Sequence, residues 1–209
     1  MSDNAPDLDA AYGLKTPEDS KRLYAAWAKT YDADFAARMD YCLPERVVAA
    51  FVARGPSGPI LDIGAGTGLV GAHLAALGLG PVDGVDISAE MLDVAEARGV
   101  YQRLFLGDMT ARLDVANGAY GAVVSSGTFT TGHVGPEALD EVLRVAATGA
   151  QIAISVSEAH WQAAGFAATF DRLAGQIGDL ELKRVRIYGE KAEGAHKDDA
   201  GFVALFVKG

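Results

Sequence analysis

Ile60-Leu61-Asp62-Ile63-Gly64-Ala65-Gly66-Thr67-Gly68 decides how the rest of the chain is read. ILDIG (60–64) is a short apolar run of strand type, and Leu69 to Leu77 is apolar at helical spacing. Glycines between a strand and a helix let the backbone turn tightly and come close to a ligand. The helix start beyond them supplies free N–H groups and the positive end of the helix dipole. Two ligand readings fit. Gly66-x-Gly68-x-x-Gly71 matches the dinucleotide fingerprint, with Asp86 about 20 residues on as ribose acceptor. Asp62-x-Gly64-x-Gly66-x-Gly68 accounts for one residue more. An acidic side chain two positions before the first glycine suits a cationic group and would repel a pyrophosphate. A tight turn with no ligand is the plain structural alternative.

Working outward, the chain alternates. PVDGVDIS (81–88), YQRLFLGD (101–108), GAVVSSG (121–127) and AQIAISVS (150–157) read as strands two to five. Helices are expected at Ala89–Arg98, Pro136–Ala146 and from about His160 to Gln176. ELKRVRIYGE (181–190) and GFVALFVKG (201–209) form a closing pair, which without an intervening helix needs an antiparallel return. The pattern predicts an α/β fold: a mostly parallel seven-stranded sheet with an antiparallel last strand and helices on both faces. Toward the N-terminus, RGPSGP (54–59) is a turn cluster, and Pro44 opens a helix running through Ala53. From Glu18 to about Arg38 the spacing is helical, with Tyr24, Trp27 and Tyr31 on one face, and Thr16 or Ser20 as its cap. The expected division is a loose tail over 1–17, an N-terminal helical lid over 18–55 and a core over 56–209, one domain overall.

Composition narrows the function classes. Half of the 209 residues are hydrophobic and 22% are charged, which excludes a disordered chain. No apolar run is long enough to span a membrane, and the acidic MSDNAPDLDA start lacks the apolar core of a signal peptide. The single cysteine, Cys42, can form no internal disulfide and is read as a buried helix residue; a cytoplasmic location is expected. With Lys plus Arg at 18 and Asp plus Glu at 28, the net charge of −10 repels phosphate backbones, so no nucleic-acid partner is expected.

The ensemble of motifs resembles class I S-adenosylmethionine (SAM) methyltransferases, a Rossmann-like fold, over roughly residues 20–209. Asp62-x-Gly64-x-Gly66-x-Gly68 is similar to the family's first motif, and Asp86-Ile87-Ser88-Ala89-Glu90-Met91-Leu92 to its second, whose acidic residue binds both ribose hydroxyls. Gly107-Asp108-Met109 resembles the third, where Asp meets the adenine amino group and the next residue packs on the ring. Ser125-Ser126-Gly127 stands at the fourth, and Gly121 departs from an acidic residue common there. The segments Tyr24–Asp32 and Gly127–Leu139 resemble a small methyltransferase-like group named after the Williams–Beuren syndrome region, which brings no substrate with it. The resemblance implies SAM as methyl donor and S-adenosylhomocysteine (SAH) as product. It implies cofactor contacts at Trp27, Tyr31, Asp62, Gly64, Ala65, Gly66, Thr67, Gly68, Asp86, Ile87, Met91, Gly107, Asp108, Met109 and Ser126.

Sites in open α/β sheets lie at the carboxyl ends of the strands. His133, in the loop after strand four, is a candidate base or substrate contact, since imidazole ordinarily titrates near ~6.5. Tyr31 is a second catalytic candidate. Tyr24, Phe129, His160 and Trp161 are candidate walls of an acceptor pocket. Aromatic faces attract a sulfonium, which gives the Tyr24/Trp27/Tyr31 face a lid role besides plain core packing. His73 reads as structural and His196 as solvated. The D/N-P-P-Y tetrapeptide of nucleic-acid amino methyltransferases and the Pro-Cys nucleophile of pyrimidine C5 enzymes are absent. Serines and threonines replace metal-binding carboxylates after strand four, so no metal is expected. The expected activity is methyl transfer to a small-molecule N, O or S nucleophile by a monomer or homodimer. The alternatives are a non-catalytic SAM-binding regulatory protein and an NAD-dependent oxidoreductase.

Overall fold

Each face of a strand needs its own apolar cover, and the alternation of side chains across β1 shows both covers at once. The computed structural model of the chain describes Gly13 and residues 17–209. The expected tail and the Thr16 cap lie outside the described residues, as does the Ser20 side chain. In β1 (Ile60–Ile63) every residue is buried. Ile60 joins one apolar cluster with Val47, Phe51, Val70 and Leu74. Leu61 and Ile63 join the other, with Leu139, Leu143, Phe166 and Phe170.

The remaining strands are β2 (Val82–Asp86), β3 (Arg103–Leu106), β4 (Tyr120–Phe129), β5 (Ala146–Ser157), β6 (Ile177–Arg186) and β7 (Ala200–Lys208). They form one seven-stranded sheet in the order β3-β2-β1-β4-β5-β7-β6. The pairs from β3 to β5 are parallel, and β7 runs antiparallel between β5 and β6. The expected architecture is therefore the observed one. Chain order reverses beside β1, because β2 and β3 lie on one side of it and β4 on the other. In such sheets this reversal opens a crevice at the strand ends.

The helices are α1 (Pro17–Trp27), α2 (Leu43–Val52), α3 (Leu69–Ala76), α4 (Ala89–Ala97), α5 (Leu139–Val145), α6 (Glu158–Ala164) and α7 (Phe166–Leu173). Two expected helices are broken. The single helix read from His160 to Gln176 is α6 and α7, split at Gly165, whose φ of 77° is left-handed. The helix read over Glu18–Arg38 ends at Trp27, and Tyr31–Ala37 follows as a π-helical turn. The wider turn sets the ring centroids of Tyr31 and Phe35 4.9 Å apart and those of Trp27 and Tyr31 5.3 Å apart. Cys42 also departs from expectation. It precedes α2 and is only partly buried, its Sγ donating to the Ile187 carbonyl at 3.5 Å.

Gly121, where the related pattern has an acid, has a local cause. Its N–H donates to the Pro59 carbonyl at 3.0 Å, and a Cβ there would lie 2.5 Å from the Ser57 carbonyl oxygen. The obstacle is backbone, so it cannot swing aside. Gly121→Ala is expected to lower unfolding stability by about 1–3 kcal/mol. Denaturant unfolding checks this; a midpoint equal to the wild type would contradict the packing account.

Candidate active site

The carbonyl of Ile63 is the first polar group to outrun the β1–β4 ladder. It accepts from Ser125 Oγ at 2.8 Å and Thr128 Oγ1 at 3.1 Å. The Thr128 side chain then occupies the space a Cβ on Gly64 would take, and Gly64 has a φ of 68°. Gly64 and Ala65 donate their N–H groups to the Val85 carbonyl at 2.8 and 3.0 Å, which fastens the turn to β2. Ser125 and Thr128 of β4 thus build the turn. Among the described residues no cluster of three or more His, Cys, Asp or Glu could hold a metal.

Above this turn lies a cleft of about 980 Å³, counting solvent at its mouth. Its wall gathers Gly64, Ala65, Gly66 and Thr67 of the loop, and Asp86, Ile87 and Met91 around the end of β2. Gly107, Asp108 and Met109 join from beyond β3, and Ser126 from β4. Tyr24, Tyr31, Tyr41 and His133 also line it. Asp86 is held by the Gly66 N–H at 2.8 Å and the Ser88 N–H at 2.9 Å. Burial raises its pKa, opposed by those backbone donors. Ser88 also caps α4, accepting from the Met91 N–H at 3.3 Å. Asp108 accepts from the Thr110 N–H and hydroxyl at 2.8 and 2.7 Å.

Several expected contacts lie elsewhere. Asp62 is fully buried beneath the loop and is not on the cleft wall. Its Oδ2 accepts from the Tyr101 hydroxyl at 2.7 Å and its Oδ1 has no partner. Side-chain alternation along β1 turns it inward, so its charge does not face a cleft ligand, and it no longer argues against a pyrophosphate. Gly68, with φ 89°, starts α3 and stands clear of the wall. Trp27 lies behind Tyr24 and Tyr31, against a second chamber. His160 Nε2 meets the Val134 carbonyl at 3.0 Å, and its ring packs on Phe166. Trp161 stacks on Phe166 and Phe170 in the apolar layer on the sheet's other face. Neither lines the cleft or the second chamber, because α6 turns them toward α7. Phe129 is wholly buried yet contributes to the second chamber. His196 pairs with Asp199 at 3.0 Å.

The second chamber holds about 710 Å³, again counting solvent. It shares Tyr24, Tyr31, Tyr41, Gly127 and His133 with the cleft. Tyr41 and Tyr188 were not singled out by the sequence. Their aromaticity was the available signal, but the bridge between them that closes the chamber joins positions far apart in the chain. Asp32, quoted only as part of a motif, accepts from Thr67 Oγ1 at 2.7 Å and pairs with Arg98. Arg98 Nε in turn donates to the Thr67 carbonyl at 2.5 Å. This three-residue contact fastens the π-helical turn to the glycine loop.

His133 differs in chemistry from its sequence reading. Both ring nitrogens are buried, and neither has a side-chain hydrogen-bond partner among the described residues. Burial lowers its pKa to about 4, with the Thr131 backbone opposing, so near neutral pH it is an uncharged imidazole rather than a base poised at its ordinary value. Nuclear magnetic resonance of the His133 ring is expected to show a titration midpoint near 4. A midpoint above about 6 would contradict the burial, since it would match unperturbed imidazole. Asp62 gives a stability test. Burial lifts its carboxyl from 3.8 to about 7. A folded pKa above the unfolded one contributes stability that is complete below about 3.8 and lost as pH rises through about 7. Asp62→Asn keeps an acceptor for Tyr101 and removes the titration. Unfolding experiments from about pH 5 to 8 are expected to show the variant gaining on the wild type by roughly 1–4 kcal/mol. Parallel pH profiles would contradict the assignment.

Residues 60–149 match a family model described as a methyltransferase domain. Human methyltransferase-like protein 27 is 36% identical over 138 residues, 64% of this chain and 56% of that protein, so the chain spans about half the length of this curated relative. A putative methyltransferase solved in complex with the Haloferax volcanii Trm112 methyltransferase activator superposes with a TM-score of 0.64 at 16% identity, covering 88% of this chain and 96% of that one. The [4+2]-cyclase SpnF superposes with a TM-score of 0.66 at 14% identity, covering 93% and 97%. At such identities the solved structures speak for the fold. Residues 60–149 are thus similar to a methyltransferase domain, and the 3-2-1-4-5-7-6 sheet that contains them is the Rossmann-like fold shared with these solved structures.

Proposed function

We propose that the protein is a SAM-dependent methyltransferase acting on a small-molecule N, O or S nucleophile by in-line displacement, with SAH as product. The observation that carries this reading is the convergence of Gly66, Asp86, Asp108 and Ser126, from the ends of four neighbouring parallel strands, on one cleft closed by tyrosines. When bound, SAM supplies a methyl group already activated by its sulfonium. The residues present suit it. Asp86, with each carboxylate oxygen tied to one backbone N–H, has lone pairs left for two ribose hydroxyls. Asp108 would meet the adenine amino group, with Met109, Ile87 and Met91 packing on the ring. Gly64, Ala65 and Gly66 allow close backbone approach to the amino-acid portion.

Positioning is the main task left to the protein, and good alignment is worth on the order of 7–11 kcal/mol. Tyr24 and Tyr31 exclude water at the cleft, and the Asp32–Thr67–Arg98 contact keeps the segment that carries Tyr31 on the glycine loop. Residues 18–55 thus act as a helical lid on a 56–209 core. His133 serves as an uncharged substrate contact beside Tyr24, whose ring centroid is 5.4 Å away. The fold does not by itself fix the reaction, since a cyclase shares it. The methyltransferase family match favours SAM over NAD. No helix among the described residues is long and apolar enough to cross a membrane. The net charge of −10 disfavours nucleic acid as substrate. A cytoplasmic monomer or homodimer working without metal completes the reading.

Asp86→Ala separates this reading from its rivals. Calorimetric titration is expected to show at least a tenfold loss of SAH affinity, about 1.4 kcal/mol or more, with the melting temperature near that of the wild type. Unchanged SAH affinity in the folded variant would contradict the ribose assignment.

A further inference from the structure

We propose that the second chamber takes an uncharged, ring-bearing compound with a free hydroxyl group. This rests on the methyl-transfer reading, because the chamber adjoins the cleft through the walls they share.

Charge is the first constraint. Among the described residues, no Lys, Arg, Asp or Glu lines the chamber. An ion entering it would lose water and find no counter-charge, which is costly in a low-dielectric site. Shape is the second. Tyr24, Trp27, Tyr31, Phe35, Tyr41 and Tyr188 form a continuous aromatic cluster with neighbouring ring centroids 4.9 to 6.3 Å apart. Such walls bind flat apolar surface well.

Rings also attract cations, so the choice between a cation and a neutral guest falls to hydrogen bonding. Trp27 is 3% exposed and its indole N–H, a donor only, is buried without a partner. His133, uncharged, has its N–H side toward the Thr131 backbone and a lone pair that no described residue meets. Buried polar groups are costly when left unmet. An ammonium guest has donors only and leaves the Trp27 N–H unsatisfied. A carboxylate or phosphate has acceptors only and leaves the imidazole lone pair unsatisfied. A hydroxyl does both: it donates to the His133 lone pair and accepts from Trp27. Two other polar groups of the wall are already occupied, Gly127 N–H by Ser155 Oγ at 2.9 Å and Thr130 Oγ1 by Ser157 Oγ at 3.2 Å. Burial raises the Tyr24, Tyr31 and Tyr41 pKa values, so the phenols add no negative charge.

Three probes with one ring system test this: 2-naphthol, 2-naphthoate and 2-naphthylmethylammonium. Each is titrated calorimetrically into the wild-type protein, free and SAH-loaded. Naphthol is expected to bind at least tenfold tighter than either charged probe. Trp27→Phe is expected to weaken naphthol at least fivefold while SAH affinity stays within twofold, and His133→Ala to weaken naphthol at least fivefold in the SAH-free protein. A charged probe binding as tightly as naphthol, no naphthol binding, or folded variants that bind naphthol like the wild type would overturn the proposal. Failure of SAH to bind would strike the cofactor reading instead, and the probe ranking on the free protein would still judge the chamber.

Discussion

A buried carbonyl must have a partner, and at the end of β1 that requirement organises the site. Ile63 is the last residue of β1, and its oxygen is met by two side chains from β4, Ser125 and Thr128. Thr128 can reach it only where residue 64 has no side chain. The glycine then lets the chain turn back to Val85 of β2 and start α3. One polar accounting problem thus fixes the loop, the spacing of β1 from β4 and the floor of the cleft. A substitution at Gly64 acts on all three.

The two cavities divide the work by polarity. The cleft carries carboxylates at Asp86 and Asp108, both steadied by backbone N–H groups. The chamber carries none among the described residues and is walled by rings. Between them stand Tyr24, Tyr31, Tyr41 and His133, whose burial keeps them uncharged near neutral pH. A charged cofactor on one side and a neutral guest on the other is the division that this wall supports.

The fold was legible because its signals are local. Strand–helix alternation and the ILDIGAGTG turn depend on neighbours within a few residues, and the sheet follows them. The cleft wall was legible for the same reason, since Asp86 ends β2, Asp108 follows β3 by two residues and Ser126 lies in the last part of β4. What depended on distant neighbours was misread. Asp62 looks like a ligand contact from its spacing, yet strand alternation points it at Tyr101. His133 looks like a base until the aromatic cluster buries it, and His160 and Trp161 follow a strand end but turn away with α6. The chamber was only half visible, because Tyr41 and Tyr188 meet across most of the chain. The break at Trp27 was hidden because a π-helical turn keeps the aromatic spacing of an ordinary helix.

Thermal melting of the purified protein with SAH and NAD in parallel tests the central claim most directly. A ligand that binds only the native state stabilises it by about 2.7 kcal/mol at a hundred times its Kd. The account predicts a rise in melting temperature with SAH and none with NAD. A rise with NAD alone would contradict it and return the glycine loop to the dinucleotide reading.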